Sequence, residues 1–199
     1  MTQRHFLALM VIANLALLAP MTAVAQGALP DLVPQEEASG WRLGGFNVVD
    51  VDQRNVPASE REVEYTGVMA WTANPDVPGL LLTCNEKSNL SATFSVAPLD
   101  FGDPAVTSAK SRVRVLKGRL IVDGERPASK QQFMVRRKIN VIHAMDKQAA
   151  YTVVNAIYTN KPVRLEVDGQ DAVDYDFPPV DDELREFVAN CPAFKQDSE

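Results

Sequence analysis

The feature that most constrains this chain is a two-residue alternation of apolar and polar side chains, repeated in short runs between turn residues. Leu90, Ala92, Phe94 and Val96 alternate with Ser91, Thr93 and Ser95. Val163, Leu165 and Val167 alternate with Arg164 and Glu166; past Asp168-Gly169, Val173, Tyr175 and Phe177 alternate with Asp174 and Asp176. A period of two sends successive side chains to opposite faces, so each run predicts a half-buried strand, and the Asp-Gly pair predicts a hairpin. Trp41 to Asp52, Tyr65 to Thr72, the Val113 to Val122 stretch, Gln132 to Val135 and Ile139 to Ile142 extend the pattern. Gly79 to Cys84 is continuously apolar, as a central strand covered on both faces would be. Asn85 to Asn89 between two runs has turn chemistry, and so has Asp123-Gly124.

Two segments change period. Ala150, Val153, Val154 and Ile157 fall on one face of a helix over Lys147 to Tyr158, with Asp146 as its cap, Asn160 as a left-handed stop and Pro162 beyond. Leu184, Phe187, Val188 and Cys191 do the same for a final helix beginning near Asp181, where Asp182 and Glu183 suit the dipole and Pro192 ends the run. Roughly eight strands and two helices predict an α+β, mostly-β domain: an antiparallel sandwich or a partly open barrel with two short helices.

The first 25 residues belong to something else. Arg4, the 13-residue apolar run Phe6 to Leu18, Pro20 and Ala23-Val24-Ala25 form a cleaved export signal, too short and too interrupted to span a bilayer. Residues 26–40 carry two prolines and two glycines and are expected to be a poorly ordered leader, leaving residues 41–199 as one domain. The expected location is the bacterial periplasm or outside the cell, with no spanning segment left after cleavage. Both cysteines lie in the exported part. One disulfide between Cys84 and Cys191 is predicted there, stapling the C-terminal helix to a strand; the other reading is two separate thiols.

Charge decides more than motifs do. The whole chain has 20 Lys+Arg against 26 Asp+Glu. Without the signal the balance is 19 against 26, a net of −7, and it is unevenly spread. Lys110 to Lys138 holds ten basic residues and two acids, a net of +8, against −15 for the rest. Arg112, Arg114, Lys117, Arg119, Arg136, Arg137 and Lys138 are the candidate binding residues, with Lys110, Arg126 and Lys130 alongside. Such a segment either forms a surface for an anionic envelope component or an acidic protein, or pairs internally with the acid-rich remainder. Nucleic acid is a poor fit, because aromatic residues are not interleaved beyond Phe133.

His143 is the only histidine past the signal, which excludes a His-rich metal site and leaves any His-based triad one candidate. It is expected in a connection, with a packing role. Phosphate-loop, nucleophile-elbow and His-Glu-x-x-His patterns are absent from the sequence. Asp168, Asp171, Asp174 and Asp176 fit no calcium-loop spacing and are expected on a solvated strand face; Asp50 and Asp52 have the same reading.

From residue 79 to about 194, the order of a strand-borne Cys84, Val122-Asp123-Gly124, a short helix with Ala150, Val154 and Ile157, a Val-x-Leu-x-Val strand, a Tyr-Asp-Phe strand and Phe187-Val188-Ala189-Asn190-Cys191 resembles small exported proteobacterial β proteins of the invasion-associated locus B type, and periplasmic accessory proteins associated with type VI secretion. The resemblance implies a periplasmic β-rich fold without catalytic residues. The expected function is therefore non-enzymatic binding of another protein or an anionic envelope component, without cofactor or metal. The alternatives are inhibition of a hydrolase through a loop at Pro98 to Ala109 and, last, a hydrolase using acidic residues.

Overall fold

The computed structural model describes residues 40–49, 57, 63–103, 106 and 112–195. The export signal, nearly all of the leader, Asp50, Asp52, Lys110 and part of the Pro98 to Ala109 loop lie outside the described residues.

Nine strands form one antiparallel sheet: β1 (Trp41–Val49), β2 (Val63–Thr72), β3 (Leu80–Asn85), β4 (Leu90–Ser95), β5 (Arg114–Val122), β6 (Gln131–Arg136), β7 (Val141–Ala144), β8 (Val163–Val167) and β9 (Val173–Tyr175). Their spatial order is β1-β2-β3-β4-β7-β6-β5-β8-β9. Two α-helices lie wholly among the described residues: α1 (Lys147–Tyr158), between β7 and β8, and α2 (Asp182–Asn190), after β9. The expected mostly-β antiparallel domain with two short helices is the fold that forms.

The sheet is open but strongly curled. Five ladder steps separate β4 from β9, a distance of about 24 Å in a flat sheet. Yet the rings of Phe94 and Tyr175 lie 5.4 Å apart, and the Tyr175 hydroxyl donates to the Ser95 carbonyl at 2.9 Å. The end strand β1 is tied to the chain just past β9 in the same way. Trp41 lies 6.4 Å from Phe177, and its indole N–H donates to the Pro178 carbonyl at 3.3 Å. Among the described residues no ladder joins β1 to β9, so the barrel stays partly open.

The concave face carries the core. Leu80, Leu82, Phe94, Phe133, Ile142 and Leu165 are all essentially inaccessible there. The alternation read from the sequence supplies them, since register partners share a face: Leu82 faces Ala92, Phe94 faces Ile142, and Leu120 faces Leu165. Each such side chain contributes about 1.5–3 kcal/mol by leaving water. Helix α1 buries Ala149, Ala150, Val153, Val154, Ala156 and Ile157 against this face, and its N-cap Asp146 accepts from the Gln148 amide. Thr159 caps its C-terminus, and Asn160 takes the left-handed conformation (φ 51°). Helix α2 buries Leu184 and Phe187 and packs beside β1 and β2.

Cys84 and Cys191 are disulfide-bonded across 107 residues, with Cα atoms 5.6 Å apart. The bond joins the inner side of β3 to the residue that ends α2, so the helix is stapled as its apolar stripe implied. No described helix is long and apolar enough to cross a membrane.

Candidate functional site

The alternate residues of each strand form the convex, outer face, which neither helix covers. Its centre is unusually apolar for an outer face. Leu81 on β3, Met134 on β6 and Val141 on β7 point there, and the crossover from β4 to β5 adds Phe101, Val106 and, from the far turn, Ile139. Phe101 and Val141 are buried (5% exposed each) yet stand apart from the main core. Together these side chains line an open-sided cavity of about 350 Å³ whose polar lining is Thr93, His143 and Arg136.

His143 therefore does not lie in a connection, as its flanking sequence suggests. It sits within β7, between the inward-facing Ile142 and Ala144, and is the register partner of Thr93 and Met134. Thr93 Oγ1 and His143 Nδ1 are hydrogen-bonded at 2.9 Å. Burial first, and the Arg136 charge second, push its pKa below the ordinary 6.5, so the ring is neutral at pH 7.

The structure divides the basic segment in two. Arg126 and Lys130 pair internally, with Glu166 at 2.9 Å and Asp168 at 2.5 Å. Arg119 is the register partner of Glu166, and Asp168 donates its amide to the Lys117 carbonyl; neither cation has an acid within ion-pair distance among the described residues. At the other end of the strands lie Arg114, the register partner of Val135, with Arg136 and then Arg137 and Lys138 in a short 3₁₀ turn (Arg137–Ile139). None of Arg114, Arg136, Arg137 and Lys138 has an acid within ion-pair distance among the described residues. Arg112 precedes β5 rather than sharing a strand face with Arg114, and it has an interaction of its own.

Arg136 is the junction of the site. It is only half-exposed, and it lines both the apolar cavity and a neighbouring polar groove of about 560 Å³ formed with Arg137, Asn140, Gln170 and Asp171. In the described part of the Pro98 to Ala109 loop Phe101 is buried, and the Gly102 amide donates to the Asp100 carboxylate at 2.8 Å.

The acids behave as a solvated face. Asp174 is exposed and accepts from Arg164 at 2.6 Å, while Asp171 and Asp176 are exposed and outside any strand. Among the described residues no group of three His, Cys, Asp or Glu side chains is placed to hold a metal ion.

The segregation of charge is legible in the sequence, but the apolar outer floor is not. Leu81 belonged to a run expected to be buried on both faces, and Met134 and Val141 look like ordinary strand residues. Compared with known protein families, curated proteins and solved structures, the chain matches none.

Proposed function

We propose that this is a non-enzymatic binding protein that contacts an anionic component of the bacterial envelope through the cationic end of β5 and β6. The observation that carries this reading is the group Arg114, Arg136, Arg137 and Lys138, which has no acidic partner among the described residues of a chain of net negative charge. Arg136, Arg137 and Lys138 are consecutive in the chain, so their charges repel one another, and the half-buried Arg136 is also partly desolvated. An external anion relieves both costs. Internal pairing accounts for Arg126 and Lys130, but not for these four.

An apolar cavity beside the cations favours an amphiphilic envelope molecule over an acidic protein surface. The export signal and the disulfide support action in an oxidising compartment, the periplasm or beyond. The resemblance to exported accessory proteins agrees with a binding role.

The test is cosedimentation of the disulfide-bonded protein with vesicles of phosphatidylglycerol or of phosphatidylcholine. Phosphatidylglycerol vesicles should retain it and release it as salt shortens the screening length from about 30 Å at 0.01 M toward 8 Å at 0.15 M. Changing Arg114, Arg136, Arg137 and Lys138 to Glu should abolish retention. Equal retention on both vesicles, or an unaffected variant, overturns the assignment.

A further inference from the structure

We propose that the outer-face cavity beneath Phe101 binds a free single-chain fatty acid, with Arg136 holding the carboxylate at the mouth and the acyl chain lying over Leu81, Met134 and Val141. The inference rests on the binding reading above and names the ligand for its apolar half.

Three observations select this chemistry. The first is volume: about 350 Å³ is at the low end for small-ligand pockets, with room for one chain and not for a two-chain lipid. The second is hydrogen bonding. The lining comes mostly from a sheet face, which presents side chains rather than backbone groups. Thr93 Oγ1 and His143 Nδ1 engage each other at 2.9 Å, so His143 Nε2 is the one ring nitrogen this pair leaves over. A peptide inserted here would leave its amides unpaired at about 1–3 kcal/mol each, whereas an acyl chain has no polar group to satisfy. The third is charge: the polar lining is one neutral pair and one guanidinium without an acid partner. A planar carboxylate accepts both N–H groups of a guanidinium fork, which makes it the matching head group. Arg136 also faces the polar groove, so the head stays hydrated while the chain is buried.

A tryptophan stands one strand away from the lining residue Leu81. Trp71 is the register partner of Leu81 on the outer face, and its buried indole nitrogen has no hydrogen-bond partner. The other tryptophan, Trp41, faces the opposite side.

Calorimetric titration of the disulfide-bonded protein with dodecanoate, below its micelle concentration and at pH 7.5, should give saturable one-to-one binding with a shift in Trp71 emission. Arg136→Gln should weaken dodecanoate about 10- to 100-fold, as expected for a lost charged hydrogen bond, and weaken dodecanol much less. Arg136→Lys should fall between. Met134→Trp, which puts an indole across the path of the acyl chain, should weaken both ligands while circular dichroism stays that of the parent. The assignment is overturned if dodecanoate fails to saturate, if Arg136→Gln leaves its affinity unchanged, or if Met134→Trp binds as tightly as the parent. Should dodecanoate fail while charge reversal still releases the protein from phosphatidylglycerol vesicles, the fatty-acid assignment falls and the wider anion-binding role stands.

Discussion

At the scale of single residues, Asp181 joins two parts of the structure. One carboxylate oxygen accepts from the Leu184 amide at 3.0 Å and caps α2; the other accepts from the Trp41 amide at 2.8 Å and fixes the start of β1. Asp181→Ala removes both bonds and should cost about 1–2 kcal/mol, read as a lowered urea midpoint. His143 makes a second prediction. Its folded-state pKa lies below 6.5, so the unfolded chain takes up the proton first as pH falls. The stability contributed by the neutral ring is complete above 6.5 and declines as pH drops from there toward the folded value. The stability difference between the parent and His143→Gln should therefore shrink between pH 7.5 and 5; a constant difference removes histidine from the account. The start of α2 near Asp181 was legible, because the apolar stripe and the acids of the first turn mark it; the bond from that carboxylate to Trp41 was not. The place of His143 was not. Ile142-His143-Ala144 is too short to show a period, and only pairing with Thr93 and Met134 makes it a strand.

At the scale of elements, the disulfide and one glycine matter most. Closing a loop of about 100 residues restricts the unfolded chain by about 4–5 kcal/mol in the chain-entropy model, less any native strain. Replacing Cys84 and Cys191 together by Ser should cost about 2–5 kcal/mol and loosen α2 first, seen as faster amide exchange over Asp182–Asn190. Gly118 sits in β5 because nothing larger fits: a Cβ there would lie 2.5 Å from the Glu166 carbonyl oxygen and 2.9 Å from Phe133 and Val167 side-chain atoms. Gly118→Ala should destabilise by about 1–3 kcal/mol, checked by denaturant titration. The strands themselves were legible, since alternation is a local property. Their order was not. The β4–β7 ladder pairs Thr93 with His143, and nothing in a period of two says which strand will be the neighbour. Ile139, expected to begin a strand, is instead in the 3₁₀ turn that Asn140 ends in a left-handed conformation (φ 53°).

At the scale of the molecule, the curl of the sheet and the sorting of charge act together. Curling hides the inner side chains around both helices and leaves the alternate side chains of each strand on the outer face. Along that face the acids of the β8 side, Glu166, Asp168 and Asp174, neutralise Arg126, Lys130 and Arg164. The cations at the far end of β5 and β6 are left over. A count of charges along the chain finds the basic segment, but register alone decides which of its members meet an acid. The most direct measurement is therefore a matched pair of charge reversals assayed on phosphatidylglycerol vesicles. Arg137→Glu with Lys138→Glu alters the unpaired end, and Arg126→Glu with Lys130→Glu alters the paired end by the same total charge. The account predicts that the first variant is released and the second retained; equal behaviour of the two would contradict it.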